Sequence, residues 1–367
     1  MAEHERPCLT PDTLPEALRP GGRGARSNIA GRFEPDARQI FHDGWDSGDE
    51  PKRLRTILTP DHPKSIVSTN NSPDISFDRS INPYQGCEHG CIYCYARPSH
   101  AYWGLSPGLD FESRIFFKPD AAKLLEAAFA RPRYRPVPIV IGGNTDPYQP
   151  AERDKEITRG LLKVFLKHRH PVLLITKNAL IVRDLDLLAP LAAQGLVRAA
   201  VSVTTLDRKL ARDMEPRAAT PERRLWAIEQ LSKAGVPVTI MTAPIVPGLT
   251  EHEIEALLER GAAAGALSAA YVLLRLPMEI APLFKEWLAT TRPDAAARVM
   301  SLMRQSRGGR DYDSDWGARQ RGTGPMAQLI SRRFHAACRR LGLNKERTAV
   351  RTDLFVKPAD TIQPSLF

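Results

Sequence analysis

Asn82-Pro83-Tyr84-Gln85-Gly86-Cys87-Glu88-His89-Gly90-Cys91-Ile92-Tyr93-Cys94-Tyr95 carries three cysteines spaced Cys-x₃-Cys-x₂-Cys. Thiolates are soft ligands that suit iron–sulfur clusters and zinc. Three of them this close can aim their sulfurs at one corner of a cubane, and Gly86 and Gly90 supply the backbone freedom for the wrap. A cubane held by three cysteines keeps one iron without a protein thiolate, an open position like that of a catalytic zinc. Four-cysteine electron-transfer sites have no such vacancy. The competing reading is a zinc ion on the three cysteines with His89 or His100 as fourth ligand. Structural zinc motifs pair their ligands as two separated knuckles, and no second knuckle occurs here.

Outward from this loop the sequence alternates strand and helix. Residues 74–83 read as a strand that feeds the cysteines. Further apolar strands are expected at 137–142, 172–176, 197–203, 236–243 and 270–275. Helices are expected at 152–168, 180–193, 221–234, 251–264 and 279–290, with Gly235 ending the third of these in a C-cap position. About six βα units in series imply parallel strands joined by right-handed crossovers. The fold class is therefore α/β, a partial βα barrel of about six units, short of the eight that close a barrel. Residues 1–70, rich in Pro, Gly, Arg and Asp, read as a largely irregular N-terminal arm outside the core, with Ile40, Phe41 and Trp45 as its possible anchors. The core spans 71–290. A C-terminal extension, 291–367, holds a basic helix near 326–341 and could cover the barrel's open side.

Composition narrows the class. No apolar run approaches the roughly 20 residues that span a bilayer, and the N-terminus has no apolar leader, so a cytoplasmic enzyme without membrane contact is expected. Of five cysteines, Cys8 and Cys338 stand apart from the motif, and Cys338 is expected to be packed in its helix. The net charge of +10 allows a nucleic-acid partner, as does the Arg-rich run 19–26; the acidic run 46–50 weakens that case. The bland alternative is a basic enzyme with abundant arginine.

The cysteine segment, with aromatic Tyr93 just before the third cysteine, resembles the signature of the radical SAM superfamily, and the resemblance extends over residues 74–290. It implies that Cys87, Cys91 and Cys94 hold a [4Fe–4S] cluster. It further implies that S-adenosylmethionine chelates the fourth iron and is reductively cleaved to methionine and a 5′-deoxyadenosyl radical. A reductase, or a flavodoxin- or ferredoxin-type protein, would supply the electron. The run Gly143-Asn144-Thr145-Asp146-Pro147 resembles the subgroup related to spore photoproduct lyase, in which this position contacts the cofactor's amino group; Thr145 and Asp146 are the matching candidates. One departure is that the lyase's hydrogen-donor cysteine at the end of the second strand is replaced here by Gly142-Gly143-Asn144.

Reactive groups in α/β barrels sit at the C-terminal ends of strands. Lys177 there could pair with the methionyl carboxylate, and Ser202 with that carboxylate or the ribose. Gly248, in a segment resembling the family's fifth strand, would flank adenine. Arg275 ends an apolar strand and needs an anionic partner, which could be cofactor, substrate or a structural carboxylate. The functions left open are a radical SAM enzyme acting on nucleic acid, one acting on a small molecule or protein, and a non-enzymatic iron–sulfur or zinc protein that binds nucleic acid.

Overall fold

The computed structural model describes residues 22–34, 54–345 and 349–358. Cys8, Ile40, Phe41, Trp45 and the acidic run 46–50 lie outside the described residues. The chain opens with short strands β1 (Ile57–Pro60), β2 (Val67–Thr69), β3 (Arg79–Ile81) and β4 (Tyr84–Gln85). After the cysteine loop come α1 (Leu109–Ser113), β5 (Arg114–Phe117) and α2 (Ala121–Ala130). Then strand and helix alternate: β6 (Ile139–Ile141), α3 (Glu152–Lys155), α4 (Ile157–Lys167), β7 (Val172–Thr176), α5 (Leu185–Ala193), β8 (Val197–Ser202), α6 (Arg208–Met214) and α7 (Pro221–Lys233). The series closes with β9 (Val238–Ile245), α8 (Ile254–Ala263), β10 (Ser268–Leu273), α9 (Ile280–Thr291), α10 (Pro293–Gln305), α11 (Ala318–Arg321) and α12 (Gly324–Leu341).

The main sheet runs β10-β9-β8-β7-β6-β3-β2. All neighbours from β3 to β10 pair in parallel, and β2 lies antiparallel on the outer edge of β3. The sheet does not close, so the expected partial barrel of parallel βα units is what forms. Register explains its two faces. Val172 pairs with Val197 and Leu174 with Ala199; Ala199 pairs with Val238 and Val201 with Ile240. These residues are buried in the main core, beneath helix residues such as Leu161, Phe165, Leu188, Ile228 and Leu257. The alternate positions Leu173, Ile175, Ala200 and Met241 fall on the opposite, concave face and are only half-buried.

Three differences from the sequence reading have physical causes. The first strand is shorter than residues 74–83, because Asp74 is drawn to Arg319 and the Asn70 side chain binds the Phe77 carbonyl at 2.9 Å. The helix expected over 152–168 breaks at Glu156, whose φ is +50°. Glu152 there turns its carboxylate onto the free N–H groups of Thr158 and Arg159, at 3.1 and 3.2 Å, and so caps the second helix. Gly235 ends α7 as expected, with φ +76° and Val236 N–H returning to the Leu231 carbonyl at 3.0 Å.

The third difference is the arm. Its described part, residues 22–34, is not set apart from the core. Arg23, Gly24 and Ala25 are buried, and the N–H groups of Gly24 and Ala25 donate to Glu112 at 2.9 and 2.8 Å. A Cβ on Gly24 would stand 1.8 Å from the Gly90 carbonyl oxygen, inside the cysteine loop's own contact distance. β1 joins β5 and β4 in a second, three-stranded sheet beside that loop. At the other end, the chain after α10 bridges the unpaired edges of the barrel. Arg307 donates to the carbonyls of Leu274 (2.7 Å) and Ala318 (2.7 Å), while Gly317 N–H and Arg319 both bind Asp74 ahead of β3.

Candidate active site

The cysteine loop leaves β4 and crosses the C-terminal ends of the parallel strands. Gly86 and Gly90 take φ of +77° and +66°, conformations that side-chain-bearing residues rarely adopt. Cys87 N–H donates to the Phe111 carbonyl at 2.9 Å, Ile92 N–H to Met214 at 3.0 Å and Cys94 N–H to Cys91 at 3.1 Å. Arg97 anchors the loop from beneath. Fully buried, its guanidinium donates to the carbonyls of Cys91 (2.9 Å), Gly90 (3.1 Å) and Gly108 (2.9 Å) and pairs with buried Glu112. Glu112 in turn receives the arm's two N–H groups, so the arm, the ion pair and two carbonyls of the loop form one unit.

Cys87 and Cys91 are buried, Cys94 is half-buried, and all three are free thiols. Burial pushes each of them up. For Cys87 the carboxylate of Asp146 and the other two sulfurs add to the rise, and for Cys91 the carboxylate of Glu215 does. The three sulfurs thus lie within one another's electrostatic reach. They are poor thiolates alone and would be deprotonated by binding metal. A zinc ion needs ligands converging on one point, and among the described residues no three His, Cys, Asp or Glu side chains do so. Three thiols on one short loop, each within electrostatic reach of the others, fit the corner of a four-iron cubane, whose irons stand apart and need no single shared point.

The residues singled out from sequence separate into two sets. Tyr93 is buried beside the cysteines; its hydroxyl contacts Glu215 and lies 3.3 Å from Thr204 Oγ1. Lys177, after β7, holds its ammonium 5.9 Å from the Tyr93 ring centre. Ser202 ends β8, buried, and its hydroxyl makes no hydrogen bond with a described residue. Lys177 lies within electrostatic reach of Cys91 and Cys94, while Ser202, on the next strand, sits against the Arg224–Glu215 pair that also holds Tyr93.

Thr145 and Asp146 reach the same place but spend their side chains inside the protein. Thr145 Oγ1 donates to the Tyr84 carbonyl at 2.7 Å. Asp146 accepts from Tyr148 N–H (2.9 Å), Thr176 Oγ1 (2.7 Å) and Lys177 N–H (2.7 Å), and faces His89 Nδ1 at 3.3 Å. Burial alone would raise this carboxyl, but His89 and the donors outweigh it and hold Asp146 at about 2. The Asp146 carboxylate is thus committed within the protein, while the Thr145 hydroxyl, which donates its proton, keeps its lone pairs open to accept from an amino group. Asp146 instead ties the ends of β6 and β7 to the cysteine loop through His89. Gly248 sits in the turn after β9 with φ +86°, its N–H on Glu251 Oε2 at 2.7 Å; a Cβ there would stand 3.2 Å from Val299 Cγ2 of α10.

Sequence reasoning missed the supports. Glu215 follows α6 and joins Tyr93, Thr204 (2.7 Å) and Arg224 in one buried cluster, and Arg224 also holds the Ser202 carbonyl at 3.1 Å. No local pattern marks these residues, because Tyr93 lies 122 positions from Glu215, and Arg224 and Thr204, at 9 and 11, fall outside one helical turn or strand repeat. α6 itself had a signal: Asp207 accepts from Lys209 and Leu210 N–H as a helix N-cap. Cys338 is packed in the main core, and burial lifts its thiol to about 11.

Comparison with protein families matches residues 81–261 to the family described as the radical SAM superfamily. An uncharacterized protein of Mycobacterium tuberculosis is 36% identical over 237 residues, covering 64% of this chain and 70% of the relative. An uncharacterized protein of Methanocaldococcus jannaschii is 28% identical over 178 residues, 47% of this chain and 62% of the relative. Among solved structures, spore photoproduct lyase complexed with dinucleoside spore photoproduct superposes with a TM-score of 0.55 at 14% identity, over 78% of this chain and 80% of that one. A mutant of that lyase with bound AdoMet and the same dinucleoside gives 0.54 at 15% identity, with the same coverage. At such identities the likeness is one of fold.

Proposed function

Because the chain belongs to the radical SAM superfamily, whose enzymes use a [4Fe–4S] cluster and S-adenosylmethionine, we propose that Cys87, Cys91 and Cys94 are the cluster's ligands and that the substrate is a nucleic acid. The observation that carries the ligand assignment is the set of three unpaired thiols on one loop at the C-terminal ends of six parallel strands. The bound cluster would supply the electron that splits the cofactor's sulfonium, leaving a 5′-deoxyadenosyl radical to take hydrogen from substrate. The protein's own part is to bind, orient and shield. Lys177 offers its ammonium to the methionyl carboxylate, Ser202 its hydroxyl to the same group or the ribose, and Tyr93 its ring to the bound nucleoside. Gly248 keeps the turn beside adenine free of a side chain. At the end of β6, Thr145 keeps oxygen lone pairs to accept from the cofactor's amino group, and the Asp146 carboxylate holds that strand end against β7.

We further divide the chain into a core of residues 71–290, a preceding segment and a C-terminal extension. A reducing cytoplasm suits thiols that stand free. Among the described residues no helix is long and apolar enough to cross a membrane. A soluble reductase or flavodoxin-like donor completes the reaction.

Support for nucleic acid comes from the net charge of +10 and from a fold shared with a lyase complexed with a dinucleoside lesion. The absence of a cysteine at Gly142-Gly143-Asn144 favours a reaction other than that lyase's own. The test is 5′-deoxyadenosine release by the anaerobically reconstituted, reduced protein, with and without DNA or RNA. Stimulation by nucleic acid is expected. Basal release that no nucleic acid changes would contradict the substrate assignment and return the choice to a small molecule or protein.

A further inference from the structure

Cys94 is flanked by two tyrosines, and each carries a cation. Lys177 stands over Tyr93, and the Arg275 guanidinium carbon lies 4.7 Å from the centre of the Tyr95 ring. Neither cation makes a hydrogen bond or ion pair with a described residue. Lys177 has a use in the reading above. Arg275 has none.

Among the described residues, two carboxylates that could serve Arg275 are already taken. Asp74, which feels its charge, is bound by Gly317 N–H (2.6 Å) and by Arg319. Glu279, four residues on, is paired with Arg32 at 3.1 Å. Beside Arg275 lies a second guanidinium, Arg307, fully buried. Its donors go to backbone carbonyls, which do not neutralise it, and its Nε has no partner. Burial first, and Arg275 second, push Arg307 down to about 10, against an opposing pull from Tyr312 and Asp313, so the two guanidinium groups are close enough to repel.

Position gives the unpaired Arg275 a purpose. Tyr95 is exposed, and its hydroxyl donates to the Gly143 carbonyl at the end of β6. Arg275 follows β10, at the far edge of the sheet. The Tyr95–Arg275 stack therefore spans the mouth of the open barrel next to Cys94. A guanidinium lying on an aromatic ring has its face covered and its N–H edge free, the edge that grips an oxyanion in two-point fashion.

We infer that Arg275 is the anchor for an oxyanion of the substrate, a phosphate or carboxylate group, held at the barrel mouth beside Cys94. Calling the ligand a substrate rests on the reading of the mouth as a radical SAM site; the anion site itself rests on the geometry alone.

The experiment titrates the full-length, reconstituted protein, saturated with S-adenosylmethionine, with inorganic phosphate and separately with acetate, by calorimetry. Saturable binding of at least one anion is expected. Arg275→Gln should weaken it about five- to a hundredfold. Arg275→Lys should restore only part, because an ammonium lacks the fork. Arg310→Gln, an exposed arginine elsewhere on the C-terminal extension, should bind as wild type. Cluster absorbance and S-adenosylmethionine affinity should be unchanged in both Arg275 variants. Preference for phosphate would trace the group to a nucleotide, and preference for acetate to a carboxylic acid. The inference is overturned if neither anion saturates, if Arg275→Gln binds equally well, or if that variant loses affinity for S-adenosylmethionine, which would give the guanidinium to the cofactor. A protein that takes up no cluster yet binds anion through Arg275 would sink the cofactor reading and leave the anion site standing.

Discussion

At the N-terminal ends of the strands His170 stacks on Phe129 with ring centres 4.4 Å apart, while Phe355 of the returning tail packs edge-on against it at 5.4 Å. Its two ring nitrogens are both engaged, by Tyr134 Oη at 2.7 Å and the Pro171 carbonyl at 2.9 Å. Val356 N–H closes the tail onto His168 at 2.9 Å. At the C-terminal ends of the same strands, Lys177 and Arg275 stand on tyrosines without an ion pair to a described carboxylate, and three thiols stand on one loop with no bond between them. The strands are continuous from one end to the other, so the difference lies in the loops. Those at the base bond both nitrogens of His170 and seal the ring among aromatic neighbours. Those at the mouth hold charge and sulfur in reserve, at a cost in stability that the supporting network offsets.

The mouth should fail where the base does not. Cys91→Ala has the largest expected effect: complete loss of iron–sulfur absorbance after anaerobic reconstitution, with the thermal midpoint of the apoprotein little changed. Cys338→Ala should keep full absorbance. A cluster-loaded Cys91→Ala protein would remove this thiol from the ligand set.

Next comes the unit beneath the loop. Arg97→Met leaves Glu112 buried without its partner, and breaking such a pair costs about 3–5 kcal/mol. Denaturant midpoints should fall accordingly and cluster loading with them. Deleting residues 1–34 should do the same, because Gly24 and Ala25 supply two of Glu112's donors. A truncated protein that loads its cluster fully would show that the arm is dispensable after all.

Smaller, and confined to the cofactor, is the effect of Lys177→Met or Ser202→Ala. Each should weaken S-adenosylmethionine about five- to a hundredfold by equilibrium binding, with the cluster spectrum retained. Unchanged affinity in both would take them out of the site.

The smallest effect belongs to the base and is read against pH. Burial holds His170 at about 3, below its ordinary 6.5, so the fold keeps the ring neutral. An unfolded chain binds that proton more readily. The stability from neutral His170 is complete above about pH 6.5 and declines as pH falls toward 3, by at most about 1.4 kcal/mol per pH unit. Urea midpoints at pH 7.0 and 5.0 measure it. His170→Phe should flatten the difference, and an equal acid sensitivity in that variant would place the effect in other groups.

Much of this architecture was legible in sequence. Apolar runs such as Val172–Thr176 and Val197–Ser202 are strands of a parallel sheet, and Cys-x₃-Cys-x₂-Cys marks the mouth. The smaller sheet was not, because β1, β4 and β5 are two to four residues long and show no alternation. The supports of the site were hidden for a different reason. Arg23 reaches Glu112 across 89 positions and Tyr93 reaches Glu215 across 122, and such pairs leave no periodic trace. Reading Asp146 by residue type did not give its partners, since an open carboxylate and one already bonded look alike in sequence.

The central claim is that the mouth holds a three-thiol cluster with one iron open to S-adenosylmethionine. Low-temperature electron paramagnetic resonance of the reduced, reconstituted protein tests it most directly, recorded before and after the cofactor is added. The expected result is a [4Fe–4S]⁺ signal that changes shape on addition and is absent from Cys91→Ala. A signal indifferent to S-adenosylmethionine, or stoichiometric zinc in protein purified without oxygen, would contradict it.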